Sequence, residues 1–111
     1  MPRDYNIYLK DILESIARIE EYSRGLSTES LAKDRMKEDA IVRNLITIGE
    51  AAKSIPGEIR SKAPSTEWDE IAGLRDVLIH RYFGTDPSIL IDIIENDLPK
   101  LKRSIQGLVK R

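Results

Sequence analysis

Apolar residues recur along this chain with the spacing of helix faces. Tyr5, Tyr8, Leu9, Ile12, Ile16 and Ile19 fall on one stripe, as in a helix that buries a single side. Asp4 is placed to cap that helix, which is predicted to run to about Arg24 and stop at Gly25. Ser27 or Thr28 opens a second helix, predicted from Glu29 to about Ile55, just before Pro56-Gly57. The first half of that helix, AKDRMKED, is highly charged. The second half, AIVRNLITIGEAAKSI, is apolar over more than half its circumference, which predicts cover on several sides, from its own bundle and from a partner. The breaker-rich segment 56–66 reads as a loop between helices. Thr66, with Asp69 three residues on, reads as the cap of a third helix that reaches about Phe83 and ends at Gly84. Asp86-Pro87 then starts a fourth helix carrying Ile89, Leu90, Ile93, Ile94, Leu98 and Leu101. Pro99 lies inside that pattern and should kink it. The basic tail, about 102–111, is expected to fray. No strand-like alternation and no repeat interrupts the series. The expected fold is all-α, a bundle of four main helices in one domain spanning 1–111.

Composition narrows the chemistry. The chain has 111 residues, 41% of them hydrophobic and 33% charged, with aromatics at 5%, so a core can form but must be mainly aliphatic. There is no Cys and only one His, which rules out thiolate chemistry and argues against a transition-metal centre. No cofactor is expected, since there is no glycine-rich phosphate loop. Asp92, Glu95 and Asp97 read as a solvated helix face rather than a cation site. The N-terminus MPRDYNIY has no apolar core of a signal peptide, and no apolar run approaches a membrane span; a cytoplasmic protein is the default expectation. The net charge of −1 predicts that any contact with RNA is local, or is built where subunits meet.

The candidate chemistry concentrates in WDEIAGLRDVLIHRYFG, residues 68–84, which holds the only Trp, His and Phe. On an ideal helical wheel Arg75 lies in the apolar sector with Trp68, Ile71, Leu74, Leu78, Ile79 and Tyr82. A guanidinium there requires a partner. Asp76 and His80 are four apart and therefore neighbours; the carboxylate could hold one imidazole nitrogen and orient the other. Arg75 and His80 are about 140° apart on a straight helix, so a shared target needs a long reach by Arg75, a distorted last turn, or a second copy of the chain. The chemistry favours a second copy. Cleaving RNA without a metal takes a base for the 2′-hydroxyl and an acid for the leaving oxygen, and a two-fold dimer supplies two imidazoles where one chain supplies one. The plainer alternatives are a surface or capping role for His80 and a structural ion pair for Arg75. Glu50, on the second helix, is a possible supporting residue and a candidate partner for Arg75. Gly49 reads as a site of close helix packing.

Arg75-x4-His80-x-Tyr82 resembles the R-x4-H-x-Y motif of HepT-like toxins in the HEPN superfamily. The similarity extends to RNLITIGEAAKSIP at 43–56, RDVLIHRYFGTD at 75–86 and DLPKL at 97–101. It implies a four-helix HEPN bundle forming a two-fold dimer and a metal-independent endoribonuclease in a type VII-like toxin–antitoxin system. It further implies Arg75 and His80 as the catalytic pair, with Asp76 beside them. The implied partners are an RNA substrate and a minimal nucleotidyltransferase antitoxin of the MntA type. That enzyme would place AMP on Tyr82, adding bulk and negative charge where an RNA phosphate must sit. The competing expectation is a non-catalytic helical module that docks such a transferase.

Overall fold

The computed structural model describes residues 4–82 and 86–109, with Arg81 and Tyr82 described through their backbone alone. The first helix, α1 (Tyr5–Tyr22), starts where expected: the Asp4 carboxylate accepts from the Asn6 amide at 2.9 Å, which satisfies one of the donors every helix start leaves open. Gly25 follows at φ +68°, a left-handed conformation natural to glycine after a helix end.

The second helix is split. α2 (Thr28–Ala32) is capped by Ser27, whose hydroxyl accepts from Ser30 N while Ser30 reciprocates toward the Ser27 amide. α3 (Arg35–Lys53) has its own cap, the Asp34 carboxylate accepting from Lys37 N at 3.1 Å. That side-chain bond competes with a continuous helix. The break lets Leu31 be fully buried while Ile41, Leu45 and Ile48 of α3 enter the same core. The expected single helix over 29–55 is therefore two, meeting at Lys33-Asp34.

The expected loop over 56–66 contains a short helix, α4 (Gly57–Arg60), anchored by buried Ile59. Thr66 does not cap the next helix. Instead α5 (Trp68–Ala72) has Glu67 at its N-cap position, with no side-chain cap bond, and the buried Thr66 hydroxyl has no hydrogen-bond partner. The third helix is also discontinuous. Gly73 separates α5 from α6 (Leu74–Val77), and a π-helical turn over Leu78–Tyr82 succeeds α6. The expected end at Phe83-Gly84 lies outside the described residues.

Asp86 caps α7 (Pro87–Asp92) as expected, accepting from Ser88 N at 3.1 Å with Pro87 in the first turn. A second π turn, Ile93–Asp97, leads into α8 (Leu98–Leu108). Pro99 lacks an amide, and its ring would meet the carbonyl four residues back in a regular α-helix. A wider turn just before it relieves that clash. The expected fraying of the tail is corrected: α8 stays helical to Leu108, with Leu101 and Ile105 buried and Lys102 Nζ reaching Glu20 at 3.1 Å.

The helices enclose one aliphatic core. α1 packs along α3, α8 closes against α1, and α5 and α6 cross α3. Gly49 marks the crossing point. A Cβ there would lie 3.1 Å from the Ile71 carbonyl oxygen and 3.5 Å from Leu74 Cβ, so the absence of a side chain sets how closely the third helix approaches. The arrangement is the all-α, four-helix HEPN-type bundle. Among the described residues, no helix is long and apolar enough to cross a membrane.

Candidate functional site

The segment carrying the motif is fixed from both ends of α5. On one side, Arg60 donates from Nη2 to the Ala52 carbonyl at 2.7 Å and from Nε to the Ile55 carbonyl at 3.1 Å. It thereby adds a charged donor where α3 ends, at the Ile55 carbonyl and at the Ala52 carbonyl, which also accepts from Ile55 N at 3.3 Å. The same guanidinium lies 5.9 Å from the Trp68 ring centroid, within the range of a cation–π contact. Trp68 Nε1 donates to the Arg60 and Ala63 carbonyls, both at 3.2 Å. The loop, the end of α3 and the start of α5 are thus tied through two side chains. On the other side, Gly49 lets α3 seat the α5–α6 junction. Sequence reasoning missed Arg60; the signal was an arginine in a short apolar-anchored turn between a helix end and the only Trp.

Beyond that anchor, Leu74 and Leu78 are buried, while Arg75, Asp76, Ile79 and His80 are exposed. Two expectations need correction here. Arg75 is not in a buried apolar sector, and Glu50 does not hold it: Glu50 is exposed and faces Lys53 at 3.7 Å. The helical wheel failed because it assumes 100° per residue through Gly73 and through a π turn, and neither obeys it. Ile79, placed in the core by the wheel, is 41% exposed for the same reason.

The π turn bears directly on the geometry of the motif. Its hydrogen bonds run between residues five apart, so each residue turns through less than it would in an α-helix. Within such a turn residues five apart lie closer in angle than they would in an α-helix, and residues four apart stay neighbours. Arg75 and His80 are five apart, Asp76 and His80 four. The last turn is distorted, one of the three options open from sequence: Arg75 and Asp76 lie in α6 before it and His80 lies within it. Among the described residues no ion pair or hydrogen bond joins Asp76 to His80. The side chain of Tyr82 lies outside the described residues; its backbone is the last residue of the π turn. The result is an exposed strip with a guanidinium, a carboxylate, an imidazole and one aliphatic side chain, mounted on a buried leucine rail.

The profile of the ribonuclease HepT-like family matches residues 12–108, which include this whole segment. The chain belongs to the ribonuclease HepT-like family. It is similar to a Thermococcus cleftensis protein named "Probable ribonuclease HepT", with 40% identity over 110 residues that cover 99% of this chain and 100% of that protein. It is also similar to a Methanocaldococcus jannaschii protein named "Gamma-glutamylcyclotransferase and putative RNase". There the identity is 41% over 110 residues, 99% of this chain, and the chain spans 50% of that protein's length. No solved structure matches the chain.

Proposed function

We propose that this HepT-like chain is an endoribonuclease whose site is completed by two copies, with Arg75 and His80 as its working pair. What supports the reading is an exposed Arg75 in α6 and an exposed His80 in the π turn that follows it, at the motif spacing. Family membership supplies the reaction class, and the names of the relatives point the same way. One imidazole takes the proton from the RNA 2′-hydroxyl as that oxygen attacks the adjacent phosphorus. The imidazole of the second subunit donates a proton to the departing 5′-oxygen. The products are a 2′,3′-cyclic phosphate and a 5′-hydroxyl. The Arg75 guanidinium stabilises the charge that builds on the phosphorane. Asp76 orients His80 once the cleft is closed around substrate. Exposed Ile79, between the two motif residues in sequence, offers apolar surface where a second copy can seat.

The proposal extends to control. A minimal nucleotidyltransferase of the MntA type adds AMP to Tyr82, and the added phosphate repels RNA from the cleft. Intact mass after incubation with such a transferase and ATP should rise by whole adenylates. It should stay unchanged for Tyr82→Phe. Persistence of the shift in that variant would move the modification elsewhere.

Nuclease function is tested with total RNA in EDTA. Wild type should cleave, His80→Ala should lose cleavage, and Arg75→Ala should fall by about a hundredfold or more. Both variants should keep wild-type melting temperatures, because the replaced side chains are exposed. Failure of wild type to cut RNA would favour the second reading, a helical module that docks a nucleotidyltransferase.

A further inference from the structure

One cavity is lined by none of the exposed motif-strip residues Arg75, Asp76, Ile79 and His80. It is a groove of about 970 Å³ between α5–α6 on one side and the α7–α8 run on the other. Its floor is aliphatic: Ile71, Val77 and Ile89 are half-buried, and Leu74, Ile93 and Leu101 lie beneath. Its rim is acidic. Glu67 and Glu70 come from the start of α5, Asp92 and Asp97 from the facing run, and all four are exposed. The two lining cations, Lys100 and Arg103, leave that rim with an acidic excess.

These carboxylates stand close enough to repel one another. The Glu70 carboxyl is held above its ordinary range, first by a hydrogen bond with Glu67 and then by the charge of that residue. Asp97 is also raised, chiefly through loss of water on its groove side, then by the negative charge of Asp92; Lys100 opposes the shift and Glu67 adds to it. Such a rim is unfavourable to RNA, whose phosphates would add like charge. It suits a ligand that brings positive charge at the edges and aliphatic surface at the centre.

We infer that this groove is a docking surface for a basic amphipathic helix of a partner protein. The apolar face of that helix would lie on the Ile71–Ile89–Ile93 floor, with its lysines or arginines paired to Glu67, Glu70, Asp92 and Asp97. This is helix-in-groove recognition, with the charged rim setting selectivity. The surface differs from the RNA-cutting strip, so its occupancy can be measured whether or not the chain cuts RNA.

The test uses the full chain and a labelled helical peptide with leucine on one face and lysine on the other, followed by fluorescence anisotropy. A leucine/glutamate peptide of the same length is the control. Saturable one-to-one binding is expected for the leucine/lysine peptide and none for the control. The triple variant Glu67→Gln, Glu70→Gln, Asp97→Asn should bind about tenfold or more weakly, the scale of losing several rim charges. Because the three side chains are exposed, that variant should remain folded, checked by circular dichroism. Ile89→Ser should weaken binding independently of charge. Equal affinity for the triple variant, equal binding of the control, or no saturable binding at micromolar concentrations would overturn the inference. So would competition by RNA for the peptide, or a shift in the oligomeric state of the triple variant alone, which would assign the groove to self-association.

Discussion

Arg60 is a single side chain on which the presentation of the site depends. It donates to the Ala52 and Ile55 carbonyls where α3 ends and lies over the Trp68 ring. Hydrogen bonds from a charged group contribute about 1.5–3 kcal/mol each at most, and part of that is recovered when water returns to the carbonyls. Arg60→Ala should therefore lower stability by about 2 kcal/mol, read as a drop in the urea midpoint. Arg60→Lys should recover little, because an ammonium cannot form the same fork. Asp97 gives a second prediction. Its folded-state pKa is raised, so between the ordinary value of 3.8 and the raised one the folded chain holds more protons than the unfolded chain. Its contribution to stability falls as pH rises through that window. Asp97→Asn should then raise the urea midpoint at neutral pH, by a fraction of a kcal/mol given the exposure of the group, and the difference should vanish in acid below the ordinary value. A variant no more stable than wild type at neutral pH would contradict the cost of holding this charge, set first by loss of water and then by Asp92. Arg60 was missed in the sequence and Asp97 read there only as part of a solvated helix face, since both roles depend on partners brought together by the fold.

At the scale of elements, existence and order were legible and continuity was not. Asp4, Gly25 and Asp86-Pro87 act as the sequence signals say, because caps and turns are local chemistry. The breaks at Lys33-Asp34 and Gly73, and the two π turns, were hidden. Apolar spacing over a few turns does not show where a helix breaks or widens. Pro99 announced a disturbance but not its form, which is a widened turn preceding the proline rather than a sharp bend. Gly49 reads from sequence as a packing glycine, and the 3.1 Å clearance to the Ile71 carbonyl bears that out. Its replacement tests the crossing. Gly49→Ala gains about 1 kcal/mol of helix propensity, but the new methyl meets backbone that cannot swing aside. Overpacking of this kind costs about 1–3 kcal/mol. A lower melting temperature is expected, and RNA cleavage should fall further than stability alone explains because α5 and α6 shift. An unchanged melting temperature and rate would mean that the crossing has slack.

For the whole molecule, the notable fact is how little of the proposed chemistry is enclosed by one chain. Arg75 and His80 stand exposed, and neither lines the groove between α5–α6 and the α7–α8 run. The motif was legible in the sequence as residue types at a spacing. The exposure of Arg75 and the π turn that holds His80 were not, since the ideal wheel put Arg75 inside. An exposed Arg75, Ile79 and His80 are what a site shared between subunits requires. The decisive measurement is RNA cleavage in EDTA by a purified mixed dimer carrying His80 in one subunit and His80→Ala in the other. With base and acid drawn from different copies, the mixed dimer should cleave no faster than the His80→Ala homodimer. Retention of about half the wild-type rate would show that one imidazole suffices and would contradict the two-subunit site.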